Sequence, residues 1–111
     1  MGDTYSRRKV EIFKALAHPV RLRISEELIK GEKCVCDITA LFSFDRTTIS
    51  KHLSVLKSAG VIIDRKEGLF VFYSLNLKCL GKMLNCLSGS VEAELENHLK
   101  AVRMETKFQR P

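Results

Sequence analysis

No stretch of this sequence stays apolar for long. Its hydrophobic runs are broken repeatedly by charge, and none approaches the roughly 18 residues that a membrane-spanning helix requires, so no membrane partner is expected. The opening residues 1–11 are polar and lack the apolar stretch of a secretory signal, which leaves the cytoplasm as the expected location. There is no internal repeat, no low-complexity tract and no linker, so one domain over residues 1–111 is expected. A glycine-rich phosphate loop is missing, and no acid and base stand at motif spacing. An enzyme is therefore not expected. Cysteine is absent from residues 1–33 and occurs four times after them, at Cys34, Cys36, Cys79 and Cys86. Without a secretory signal, these point to free thiols, a metal site or a redox site in preference to a disulfide framework.

What is present is a chain of 111 residues, 45% hydrophobic and 29% charged, the profile of a soluble globular domain. A chain of this size buries only a modest core, for which a core shared in a dimer is a common remedy. The 19 lysines and arginines outweigh the 13 aspartates and glutamates, for a net charge of +6. That excess favours a polyanionic partner such as DNA, RNA or a membrane surface. Many basic proteins bind no nucleic acid, so the charge needs a scaffold that presents it.

Hydrophobic spacing supplies one. Val10, Ile12, Phe13, Leu16 and Ala17 predict a helix over about Ser6 to Ala17. His18-Pro19 ends it, because the residue before proline is pushed out of the helical region, and Pro19 suits the first position of a second helix. That helix carries Leu22, Ile24, Leu28 and Ile29 and stops at Gly31. A short helical segment is predicted over 36–42. A longer one is predicted over about 46–59, with Asp45 as N-cap, Ile49, Leu53 and Leu56 as its apolar seam, and Gly60 as its stop. The pattern then turns β-branched and aromatic over 61–66 and 69–75, a hairpin with Glu67-Gly68 between its strands. Helical spacing returns from about Leu77 to Val102, with Ser88-Gly89-Ser90 as a weak point. The fold class is mainly α with a β-hairpin wing.

Two helical segments joined by Ser43-Phe44-Asp45 have the spacing of a helix-turn-helix, whose second helix enters the major groove. The exposed face predicted for that second helix carries Arg46, Thr47, Thr48, Ser50, Lys51 and His52. Hydroxyls reach base edges or phosphates, and lysine neutralises a phosphate. Arg65 and Lys66 near the hairpin tip are the expected phosphate contacts of the wing.

At this point the chain resembles a known family. The run Phe13-Lys14-Ala15-Leu16-Ala17-His18-Pro19-Val20-Arg21-Leu22-Arg23-Ile24 resembles the opening of the ArsR/SmtB repressors. Thr48 through Ile62 resembles their recognition helix and following strand, and Glu67-Gly68 with Phe72-Tyr73-Ser74-Leu75 resembles their wing. The match spans roughly residues 8 to 87. It implies a winged helix-turn-helix homodimer paired through its first and last helices. It also implies binding to double-stranded operator DNA, and release when a metal or metalloid binds. No permanently bound cofactor is implied.

Cys34-Val35-Cys36-Asp37-Ile38 resembles the cysteine box of the arsenite- and cadmium-sensing branches. Soft thiolates suit arsenite or antimonite first, with cadmium, lead or zinc as further candidates. Arsenite typically takes three sulfurs in a pyramid. In the arsenite-sensing pattern the third thiol follows the second by three residues, and here that position is Thr39; the cadmium branch draws on an N-terminal arm, which here has no cysteine. A third sulfur must therefore come from Cys79 or Cys86, or the site is two-coordinate. Those two are seven apart, a rise of ~10 Å along a helix, too far to share one ion within it. Each is also readable as a small buried core residue. The family's other sensing site finds no matching ligand pair at Asn76, Lys78, Glu94 and His98. A thiol pair that oxidises or takes up sulfur, with no metal involved, is the rival sensor on the same fold.

Overall fold

The computed structural model describes residues 2–109, with side chains over 3–103. It divides into two compact units, one ending at Lys78 and the other beginning at Cys79.

In the first unit, helix α1 (Gly2–Leu16) starts ahead of the expected Ser6, with Asp3 placed favourably in its first turn. Helix α2 (Pro19–Ile29) opens on Pro19 as anticipated. His18 does more than interrupt the chain. It is the extended N-cap of α2, and its Nδ1 accepts the Val20 N–H at 3.1 Å. Past α2, Gly31 takes φ +140°, a backbone state that costs glycine little.

Strand β1 (Lys33–Cys34) was not visible in the sequence, because two residues are too few to show alternation. Helix α3 (Val35–Thr39) is shorter than the 36–42 segment expected. Its end continues as tight turns, Leu41 N–H to Ile38 O and Phe42 N–H to Thr39 O, both 3.1 Å. Helix α4 (Arg46–Ser58) follows, capped by Asp45 and left through Gly60 at φ +82°. Strands β2 (Ile62–Glu67) and β3 (Phe70–Leu75) form the hairpin. The turn is Gly68-Leu69, one residue later than expected, since Glu67 pairs with Phe70 as the last rung of the ladder. Gly68 alone has positive φ, as the first residue of a II′ turn requires. The sheet order is β1-β3-β2, antiparallel throughout.

The core of this unit joins α2, α3, α4 and β2 through Ile24, Ile38, Ile49, Leu53, Leu56 and Ile62, all essentially inaccessible. Burying such a side chain contributes about 1.5–3 kcal/mol. Ser25, also buried, donates its hydroxyl to the Arg21 carbonyl at 3.0 Å and so carries no unmet polar atom. Helices α3 and α4 and the β2–β3 hairpin make a winged helix-turn-helix.

The described part of the second unit lies within a single helix, α5 (Lys78–Gln109), which runs without a break through Ser88-Gly89-Ser90. One glycine costs about 1 kcal/mol against alanine, too little to end a helix of this length. Among the described residues, no helix is long and apolar enough to cross a membrane.

Leu53→Ala is expected to lower the free energy of unfolding by about 3 kcal/mol, the usual cost of a cavity at a fully enclosed leucine. Urea unfolding at fixed protein concentration measures it, and a loss under about 1 kcal/mol would mean that α4 is not anchored by this seam.

Candidate nucleic-acid interface and thiol pair

The apolar seam of α4 decides which of its polar side chains face water. With Ile49, Leu53 and Leu56 buried, Arg46, Thr47, Ser50 and Lys51 stand exposed together on the opposite side. Ser54 and Ser58 extend that surface beyond the predicted face; the fourfold spacing from Ser50 to Ser54 is the signal in the sequence that points to them. The start of the helix is rigid, because Asp45 Oδ1 accepts the Thr48 N–H at 2.9 Å. Hydrogen bonding from Thr48 holds the Asp45 carboxyl below its ordinary range.

Two members of the predicted face lie elsewhere. Thr48 is half-buried at the edge of the seam. His52 is half-buried too and turns toward α2, its ring centroid 4.5 Å from that of His18. Burial pushes the His52 pKa below the ordinary histidine value, and the charges of His18 and Arg21 push it further the same way. His52 therefore braces the recognition helix against the cap of α2 instead of standing in the exposed row.

The wing departs further from expectation. Arg65 is not a free cation. Its Nε and Nη2 donate to the two carboxylate oxygens of Glu32 at 2.8 and 2.6 Å, and its Nη1 donates to Glu67 Oε2 at 2.7 Å. The guanidinium also lies 4.7 Å from the centre of the Phe72 ring. These carboxylates, Glu32 first, hold Arg65 even more firmly protonated than usual, and Arg65 in turn lowers the Glu32 pKa. Lys57 at the end of α4 is likewise engaged, with Asp64 Oδ2 of β2 at 3.0 Å. Lys66 is exposed and has no ion pair among the described residues. Nothing in the sequence announces Glu32 as the partner, because it meets Arg65 across 33 positions of chain.

Cys34 and Cys36 straddle the junction of β1 and α3. Cys34 is half-buried, pairs with Phe72 of β3 and acts as the extended N-cap residue of α3, whereas Cys36 is exposed inside the helix. Thr39, in the place of a third thiol, spends its hydroxyl on the Val35 carbonyl at 2.8 Å. Among the described residues, no three His, Cys, Asp or Glu side chains gather to hold a metal ion. The donor set next to Cys34 and Cys36 thus suits a soft ion in softness but supplies two sulfurs, not three. Cys79 and Cys86 are both exposed on α5, so in the single chain neither is the buried core residue that was one expectation.

The pattern that defines the arsR family of bacterial regulatory proteins matches residues 18–64, from the cap of α2 to the start of the wing. The transcriptional repressor SdpR of Bacillus subtilis is 39% identical over 74 residues, covering 67% of this chain and 82% of that protein. The chain belongs to the ArsR family. Another relative, the arsenical resistance operon repressor of Escherichia coli K12, is 33% identical over 96 residues, covering 79% of this chain and 82% of the relative. The solution structure of a homodimeric winged helix-turn-helix DNA-binding domain from Mycobacterium bovis superposes with a TM-score of 0.79 at 28% identity, over 87% of this chain and 90% of that one. As an ArsR-family protein, the chain is a DNA-binding transcriptional regulator and not an enzyme.

Two predictions follow from this geometry. Lys51→Ala and Lys66→Ala are each expected to weaken operator binding and flatten its logarithmic salt dependence by about one unit, the signature of one lost phosphate contact. Adding Arg65→Ala to Lys66→Ala should flatten the slope no further, because the Arg65 guanidinium is already engaged by carboxylates. Filter binding across a salt series compares the variants, and a further unit lost in the double variant would return Arg65 to the DNA surface.

His52 has its own pH signature. With its folded pKa below the unfolded value of about 6.5, the unfolded chain binds the extra proton first. Stability is then full above about pH 6.5 and falls as the pH drops from there toward the folded pKa. His52→Phe should remove part of that acid loss in thermal unfolding between roughly pH 7.5 and pH 5.5, and an unaltered profile would mean that His52 is not the responsible group.

Proposed function

We propose that this ArsR-family protein is a cytoplasmic, homodimeric repressor. It binds double-stranded operator DNA and releases it when a thiophilic inducer engages Cys34 and Cys36. Arsenite or antimonite is the foremost inducer, with cadmium, lead or zinc as further ions, and no cofactor is permanently bound. The whole chain acts as one domain in this reading. The recognition helix α4 presents Arg46, Thr47, Ser50 and Lys51 to the major groove, where hydroxyls read base edges and the cations meet phosphates. Lys66 adds a sequence-independent phosphate contact from the wing.

Support for the dimer comes from the outer helices. Met83, Leu87, Val91, Leu95, Leu99 and Val102 form an exposed apolar row along α5, and Tyr5, Val10 and Phe13 are exposed on α1. Such rows at helical spacing are what a partner helix covers. The Mycobacterium bovis domain is itself homodimeric.

The observation that carries the inducer reading is the position of the thiol pair. It sits at the head of the first helix of the helix-turn-helix, with Cys34 on a strand bonded to the wing and Cys36 in the helix. An ion that draws the two sulfurs together changes the backbone leading to both DNA-binding elements. A ligand shifts such an equilibrium only by its differential affinity for the two states, and release by ~100-fold corresponds to about 2.7 kcal/mol, within the ordinary range of allosteric coupling. That no third ligand stands beside the pair among the described residues favours one second reading, in which the dithiol responds to oxidants or persulfides.

Cys34→Ser/Cys36→Ser is expected to bind operator as the unaltered protein does and to stay bound in arsenite, with release lost from ~100-fold to near unity. Fluorescence anisotropy with an operator duplex measures both. Full release of the double variant by arsenite would move the sensor to Cys79 and Cys86. Release of the unaltered protein by diamide but not by arsenite would establish the redox reading.

A further inference from the structure

We infer that Glu32 is a positioning residue through which the state of the thiol pair reaches the wing, an inference that rests on the inducer reading above. Phe72, in the central strand, pairs with Cys34 on one side and with Arg65 on the other, so the thiol, the ring and the guanidinium stand in one row across the sheet. Arg65 lies over the Phe72 ring. Two residues before Cys34, Glu32 closes the row by gripping Arg65 through both carboxylate oxygens. Paired parallel bonds of this kind fix direction as well as distance.

Strand β1 has only two residues and two rungs, Lys33 to Tyr73 and Cys34 to Phe72. Two rungs alone hold a strand poorly, and the Glu32–Arg65 contact is the side-chain bond that fastens its leading end to β2. A displacement of Cys34 on capture of an ion or on oxidation pulls β1, and with it Glu32, away from Arg65. The wing then loses the contact that sets its orientation, and Lys66 loses its place. Glu67 bonds the same guanidinium but lies on the same strand as Arg65, so it carries no information from the thiols. That difference supplies the test.

Site-resolved alkylation by N-ethylmaleimide, read by mass spectrometry on the full chain without DNA, reports how often Cys34 becomes accessible, with exposed Cys36 as internal reference. Glu32→Gln and Arg65→Gln are both expected to speed Cys34 alkylation about threefold or more, the scale of one lost well-placed ion pair, whereas Glu67→Gln leaves it unchanged. A purely electrostatic influence has a different pattern, because loss of a positive charge at Arg65 would slow thiolate formation instead. Slower or unchanged alkylation in Arg65→Gln, or equal acceleration in Glu67→Gln, overturns the inference. Operator binding with and without arsenite gives the second arm: the release ratio falls in Glu32→Gln and holds in Glu67→Gln. A full ratio in Glu32→Gln, in a protein whose unaltered form does release, also overturns it. If the unaltered protein ignores both arsenite and diamide, the inducer reading fails, while the alkylation rates still decide whether Glu32 holds the thiol strand.

Discussion

The row that α4 is proposed to present to DNA depends on the rotation of that one helix. Ile49, Leu53 and Leu56 are enclosed on one side of α4, and the free energy of removing them from water leaves the helix a single orientation. A polar group on α4 is exposed or not according to its angle from that seam. Asp45 and Gly60 set where the helix begins and where the chain departs, so the exposed row has a fixed start and length. The brace between His52 and His18 ties the same helix to the entry of α2.

The net charge of +6 gives little idea of where a phosphate would land. Lys57 and Arg65 lie close in sequence to the face proposed to enter the groove, yet each is engaged by a carboxylate of its own chain. The wing in particular is nearly balanced: Glu32 and Glu67 together outnumber the one guanidinium they hold. Among the described residues, the cations of this region without an ion pair are Arg46, Lys51 and Lys66, and an affinity built on so few charges would give more weight to the hydroxyls proposed to read bases.

Local signals were legible and lateral ones were not. The caps, stops and seam of α4, the proline start of α2 and the existence of the hairpin are each written within a few adjacent residues, and the structure has them where the sequence puts them. Strand β1 is too short to leave a period. The turn slipped by one residue because Gly68 was placed last in the turn instead of first, and the handedness of a II′ turn decides that point. Nothing near Arg65 in the chain announces Glu32; only the register of β3 against both neighbours brings them together. The half-burial of His52 against His18 is hidden for a similar reason. His52 adjoins Leu53, at the margin of the apolar stripe, where a helical wheel alone does not say which way an imidazole turns.

The short passage between α2 and β1 has a consequence for what this gene can tolerate. Gly31 and Glu32 are all that separates the C-cap of one element from the first rung of the next. Side chains alternate faces along a strand, so one extra residue between Glu32 and Lys33 would put Glu32 on the opposite face from Cys34 and out of step with Arg65. Substitution at this passage alters strength, but a change of length alters which groups meet at all. The hairpin tip is the reverse case. Gly68-Leu69 touches nothing that fixes its length, and Leu69 lies wholly in water. Inserted codons should therefore be accepted at the far end of the wing and rejected at its root, two sites on the same three-stranded sheet.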